Sequence, residues 1–78
     1  MLYTLVRKTV TEGAFAKSET FDSYNKSLAK FYEYLHNNTL DPTVKRFDIT
    51  ILNGDLIPCK IEHFINNELS EQDQEVAE

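Results

Sequence analysis

The residues best suited to covalent chemistry are Cys59 and His63, which lie four positions apart in a segment that alternates like a strand. A regular strand would separate their Cα atoms by about 13 Å, which is too far for a thiol and an imidazole to act as nucleophile and base. We therefore interpret Cys59 as a small core hydrophobe. His36 and His63 have no third ligand at a spacing typical of metal sites. We expect both histidines at the surface or at a helix end, and no bound metal.

Acid–base and phosphate chemistry have little more support. Asp48 lies inside an apolar strand, where burial would raise its pKa, but alternation with Phe47 and Ile49 directs its side chain away from the core. The two glycines, Gly13 and Gly54, both fall in predicted turns, so neither is left for a phosphate-binding loop. These patterns predict a protein that is not an enzyme and that needs no cofactor.

The least ordinary charged feature is Arg7, which the first predicted hairpin places opposite Lys17. Like charges across a ladder repel each other, so an anion bound between them is one explanation. Tyr3 and Phe15 share this face, and aromatic rings beside cations can receive a nucleotide or a short single strand by stacking and phosphate pairing. The alternative, which we favour, is that Glu19, diagonal to Arg7, neutralises the pair while the aromatic residues belong to the core.

Three further apolar or aromatic side chains are candidates for an interface with another protein. Leu5 and Phe21 lie on the same hairpin face as Arg7, and Tyr34 lies at the flank of the apolar stripe of a predicted helix. A tyrosine in such a position covers a core edge or anchors an interface. The sequence leaves both possibilities open.

The first hairpin is predicted from extended runs over residues 2–10 and 14–21, joined by Thr11, Glu12 and Gly13. With Gly13 in the left-handed conformation, Val10 pairs with Ala14. This register puts small residues on one face of the hairpin and bulky ones on the other.

A helix follows, because Asp22 or Ser23 can cap its first turn and apolar residues then recur at spacings of three and four. The predicted stripe consists of Tyr24, Leu28, Phe31, Tyr32 and Leu35. Asn37 and Asn38 are candidate C-terminal caps, and Asp41-Pro42 disfavours further helix.

The second hairpin is predicted from Phe47, Ile49 and Ile51 on one strand and from Ile57, Cys59 and Ile61 on the next. A three-residue loop ending at Gly54 would set Ile49 opposite Ile57 and Phe47 opposite Cys59, which puts all of these residues on one face. Pro58 cannot donate a ladder hydrogen bond, so we expect its strand at a sheet edge.

These elements predict an α+β domain in which a four-stranded antiparallel sheet (ββαββ) carries one amphipathic helix on one face. The other sheet face would keep exposed apolar residues, and a domain of 78 residues buries a smaller fraction of its surface than a larger one. We therefore expect self-association as a homodimer or higher closed oligomer. Which sheet face lies under the helix is left open.

Charge divides the chain into a body over residues 1–65 and an acidic tail over residues 66–78. The body holds eight acids and all eight bases, whereas the tail holds five acids and no base, so the net charge of −5 lies in the tail. Apolar residues make up 41% of the chain and charged residues 27%, values typical of a globular domain. We expect a folded body with a flexible tail, and no binding to duplex DNA, which a basic surface would favour.

The single cysteine rules out an intrachain disulfide, which suits a reducing compartment. No segment approaches the roughly 20 apolar residues of a membrane span, and the N-terminus lacks the pattern of a secretion signal. We expect a cytoplasmic protein that does not bind membranes.

Residues 3–9 (YTLVRKT) and 28–35 (LAKFYEYL) resemble a loose group of short uncharacterised proteins encoded by bacteriophages and prophages. The resemblance spans most of the body and implies a phage-like context, with the cytosol of a host bacterium as the site of action. It implies three classes of function by analogy. These are an oligomeric binding protein that inhibits a host protein such as a defence component, a sponge for a nucleotide or oligonucleotide signal, and a virion accessory protein.

Overall fold

The computed structural model describes residues 1–67. The chain forms β1 (Tyr3–Val10), β2 (Ala14–Phe21), α1 (Tyr24–Leu40), β3 (Arg46–Leu52) and β4 (Pro58–Ile65). The strands make one antiparallel sheet in the order β2-β1-β3-β4, with α1 on one face. This confirms the predicted ββαββ fold of the α+β class, and it places the Pro58 strand at a sheet edge as expected.

The first hairpin has the predicted register, with Val10 opposite Ala14 and Arg7 opposite Lys17. The prediction of a left-handed Gly13 was wrong, because its φ is not positive. The loop is closed instead by the Thr11 N–H, which donates to the carbonyl of Gly13 at 2.8 Å. The bulky face of this hairpin lies under α1, which answers the question that the sequence left open.

Helix α1 begins after Ser23, whose extended backbone and side-chain oxygen make it the N-cap. The Ser23 hydroxyl accepts from the Lys26 N–H at 3.4 Å, and an uncapped helix would leave such amides without partners. The expected caps at Asn37 and Asn38 were wrong. The helix continues to Leu40, and the Asn38 side-chain amide donates to the carbonyl of Tyr34 at 2.8 Å instead of ending the helix.

The second hairpin has a longer loop than predicted, so its predicted register was wrong. Ile49 faces Glu62, and Phe47 faces Phe64. The loop covers residues 53–57, because the Asn53 side chain accepts from the Asp55 N–H at 2.9 Å and from the Ile57 N–H at 3.0 Å. These two bonds stabilise a turn in which Leu56 takes a positive φ of 62°.

This shift also overturns the interpretation of Cys59 as a core residue. Cys59 is exposed, and it lies where the β3–β4 ladder is irregular. The core is built from β1, β3, α1 and the segment before β3: Leu5, Phe31, Val44, Phe47, Ile49 and Ile51. Within the predicted helix stripe, Tyr32 is an exception because 51% of it is exposed.

The acidic tail predicted over residues 66–78 lies almost entirely outside the described residues. Its first residue, Asn66, is anchored to the body, because its backbone N–H donates to Lys45 and its side-chain amide to the carbonyl of Val44. Within residues 1–67, no helix combines the length and the apolar character needed to cross a membrane.

Candidate recognition surface

Arg7 lies beneath the helix in a three-residue cluster. Its guanidinium carbon lies 3.9 Å from the centre of the Tyr34 ring, and its Nη2 lies 3.6 Å from Glu19 Oε1. The Tyr34 hydroxyl donates a short hydrogen bond to the same carboxylate oxygen. The diagonal Arg7–Glu19 contact is therefore present, and Tyr34 fixes both partners in place.

The electrostatics of this cluster are those of a structural contact. The hydrogen bond to Glu19 and partial burial both raise the pKa of Tyr34 above its ordinary value, so the phenol remains a neutral donor. Arg7 Nε is buried without a hydrogen-bond partner among the described residues. The guanidinium thus has one stacked face and one paired edge, and only 23% of the side chain is exposed.

The other residues proposed for ligand binding do not converge on Arg7. Lys17 is exposed on the edge strand β2, and Phe15 beside it is 54% exposed. Tyr3 packs edge-on against Tyr24 with ring centres 5.6 Å apart, at the far end of β1. The aromatic rings and the two cations therefore do not come together in one binding site.

The residues proposed for an interface have different positions. Leu5 is completely buried in the core, so its assignment to an interface was wrong: the helix already covers its side chain. Tyr34 and Phe21 are partly buried and pack against the core. Phe21 also lines an open groove of about 560 Å³ between β2 and the helix, together with Lys26, Ala29, Lys30 and Glu33.

The side of the sheet opposite the helix, here called the open face, has no element of residues 1–67 packed over it. Its side chains alternate with those that point toward α1: Thr4, Val6, Lys8, Val10, Ala14, Ala16, Ser18, Thr20, Arg46, Asp48, Thr50, Leu52, Ile61, His63 and Ile65. Ile61 and Ile65 are 50% and 56% exposed.

A charged cluster lies across the middle of the open face. Asp48 Oδ1 accepts from His63 Nδ1 at 2.6 Å, and Asp48 Oδ2 accepts from Arg46 Nε at 3.2 Å. Burial raises the pKa of Asp48, but the hydrogen bond with His63 and the charge of Arg46 outweigh burial and hold this pKa below its ordinary value. Asp48 points away from the core as predicted, and it is a carboxylate that organises two basic side chains.

Sequence reasoning missed the contact between Asp48 and His63 because it used the wrong register for the second hairpin. The observed register places these residues directly opposite each other and Lys8 on the other side of Asp48. The residue that could have indicated the longer loop was Asn53, whose side chain can organise such a turn.

Apolar residues lie in the rows of the sheet on both sides of the Asp48–His63 contact. One neighbouring row holds Val10 and Ile65 with Arg46 between them, and the other holds Val6 and Ile61 with Thr50 between them. A charged centre with an apolar border gives the open face both a hydrophobic area and a fixed orientation for a partner. No group of three or more side chains suited to a metal occurs within residues 1–67.

The chain matches no protein-family model, and neither a curated protein nor a solved structure matches it.

Proposed function

We propose that this chain is a non-catalytic binding protein that recognises another protein through the open face. The resemblance to short phage and prophage proteins suggests that the partner is a host factor, such as a defence component, which the chain blocks by binding to it. The open face is the observation that carries this proposal.

The composition of the open face supports a protein partner. Protein interfaces combine apolar contact area with a small number of charged or polar groups that fix orientation. Here Ile61 and Ile65 lie beside the charged cluster on one continuous surface, and an uncovered sheet face suits another folded surface. The open face remains available for binding, whereas the helix covers the core residues on the opposite side of the sheet, which are Leu5, Phe47, Ile49 and Ile51.

The charges on the open face indicate which kind of protein surface fits it. Lys8 and Arg46 carry two fixed positive charges against the single carboxylate of Asp48. Within the described part of the chain, Lys8 takes part in no ion pair. A partner with an apolar centre and an acidic group opposite Lys8 would therefore be complementary, and charge complementarity increases specificity and association rate.

A capture experiment from the lysate of a bacterial host tests this proposal with two matched variants. Ile61→Glu puts a carboxylate into the apolar border of the open face, whereas Leu40→Glu puts one at the C-terminal end of the helix, outside both the open face and the groove between β2 and the helix. Both positions are exposed, so both variants should fold. We expect one captured protein to be lost with Ile61→Glu and kept with Leu40→Glu. Capture that is unaffected by Ile61→Glu would contradict the proposal.

A nucleotide sponge is the competing function, favoured by Lys17 and Phe15, which remain exposed side by side on β2. It would require an anion to compete with Glu19 for Arg7. A panel of nucleotides tested by thermal shift separates the two functions. The proposed function predicts no saturable rise in Tm, and a rise that Lys17→Ala abolishes would favour the sponge instead.

A further inference from the structure

Strand β2 is a sheet edge that lacks the proline and the β-bulge by which many edge strands resist pairing with another strand. All eight of its residues pair regularly with β1 on the inner side, and its sequence contains no proline. Helix α1 packs over β3, β1 and part of β2, but Phe15 and Lys17 on β2 remain exposed. An edge of this kind presents unpaired N–H and C=O groups to a further strand.

In β2, the side chains at equal distances before and after Ser18 are complementary or alike. On the helix side of the strand, Lys17 and Glu19 lie one residue before and after Ser18, and Phe15 and Phe21 lie three residues before and after it. The open-face residues Ala16 and Thr20, two positions away on either side, are both small. Antiparallel pairing with an identical strand therefore meets matched side chains at each position.

We propose that two copies of the chain pair through β2, with a two-fold axis perpendicular to the sheet at Ser18. In this register Lys17 lies opposite Glu19 of the second copy, and Phe15 lies opposite Phe21 of the second copy. Both pairs occur twice. Opposite charges and aromatic pairs directly across a ladder are stabilising.

Neighbouring registers that keep both helices on the same side are less favourable. An axis at Lys17 places two lysines opposite each other, and an axis at Glu19 does the same with two glutamates. Like charges at such positions repel. The charge pattern of β2 therefore favours the axis at Ser18 over the two adjacent ones, and the axis at Ser18 also pairs Lys17 with Glu19 and Phe15 with Phe21.

The groove beside the helix strengthens this assignment. Phe21 forms one wall of this groove of about 560 Å³, and Ala29 and the stems of Lys26 and Lys30 form others. Phe15 of the second copy arrives directly opposite Phe21, at the mouth of the groove. The partner thus covers a ring that is 54% exposed in the single chain.

The other sheet edge, β4, is a poorer template. Lys60 and Glu62 are also matched about Ile61, but Pro58 has no N–H and Cys59 lies in the irregular part of the ladder. Regular pairing about Ile61 would cover only residues 60–62, whereas pairing about Ser18 covers residues 15–21. The dimer would have a continuous eight-stranded sheet, and its enlarged open face would remain free for the partner proposed above.

A disulfide across the two-fold axis tests this dimer. Paired residues in an antiparallel ladder have Cα atoms about 4.5 to 5.5 Å apart, within the range that a disulfide spans. In a Cys59→Ser background, Ser18→Cys should cross-link under mild oxidation at micromolar concentration. Ala16→Cys and Thr20→Cys are matched controls on the same strand face, because each would lie about 13 Å from its own copy.

Among the three single variants, we expect only Ser18→Cys to form a covalent dimer. When the Ala16→Cys and Thr20→Cys proteins are mixed, they should also form a cross-linked product. Equal cross-linking of all three single variants, or none with Ser18→Cys, would overturn the proposal.

A second measurement uses the charge pairs. Lys17→Glu removes a like charge opposite Arg7 within the subunit, so it should not weaken the fold, but it places two carboxylates opposite each other in the dimer. We expect the dissociation constant from sedimentation equilibrium to rise by about 10-fold or more. Lys8→Glu makes the same charge change on the open face. It puts a carboxylate opposite Asp48 within the subunit, which costs some stability, but it should leave this constant nearly unchanged. The opposite order of effects would place the dimer contact on the open face.

Discussion

Arg7 shows how a residue that resembles a ligand contact can serve the fold. The predicted hairpin register correctly placed Arg7 opposite Lys17 and Glu19 diagonal to Arg7. The sequence did not reveal that Tyr34 would lie over the guanidinium and bond to the same carboxylate. That contact depends on how the helix is placed over the sheet, which periodicity alone does not determine.

The hydroxyl of Tyr34 should contribute measurably to stability at neutral pH. Tyr34→Phe removes the hydrogen bond to Glu19, and we expect the free energy of unfolding to fall by about 1 kcal/mol. This loss is at the low end for a hydrogen bond to a charged group, because the site is partly exposed to solvent. Urea unfolding at pH 7 measures this loss. Tyr32→Phe, on the exposed side of the helix, should change stability little.

The same variant should reveal a pH dependence. The pKa of Tyr34 is raised in the folded protein from its ordinary value of 10.0, so its contribution is complete below pH 10 and is lost as the pH rises through the folded pKa. The difference in stability between the wild type and Tyr34→Phe should therefore shrink above pH 10. A difference that stays constant or grows would contradict this account of the cluster.

At the scale of elements, the strands and the helix were predictable where a pattern had one interpretation. The spacing of apolar residues defined α1, and the register of the first hairpin followed from the length of its loop, although Gly13 is not left-handed. The second hairpin failed because Asn53-Gly54 suggested a short turn, whereas the Asn53 side chain organises five residues. This single misreading put Cys59 in the core and hid the Asp48–His63 contact.

Leu56 marks the loop where the prediction failed, and it offers a test of that loop. A non-glycine residue with φ of 62° is strained, and asparagine tolerates this conformation better than leucine. We expect Leu56→Asn to raise the free energy of unfolding by about 0.5 kcal/mol, measured by urea unfolding. Leu40→Asn is the matched control, because Leu40 is equally exposed at 69% but lies in the helix, and this substitution should give no gain. A loss of stability with Leu56→Asn would show that the leucine side chain has a role of its own.

At the scale of the whole molecule, one helix covers one side of a four-stranded sheet and the other side carries an apolar area around a charged cluster. The sequence predicted that one face would remain uncovered, but it could not choose which one. The choice follows from size, since the aromatic side chains of the bulky face fill the space beneath α1. In our proposals, the edge of β2 joins two copies and the open face binds the partner protein.

The most direct test is a titration of the isotope-labelled protein with the captured partner, followed by the NMR signals of its backbone amides. Our account predicts that the largest shifts occur at Val6, Thr50, Ile61 and His63 on the open face, with little change at the outer side of the helix. Shifts concentrated at Lys26, Ala29 and Lys30, with the open face unchanged, would contradict it.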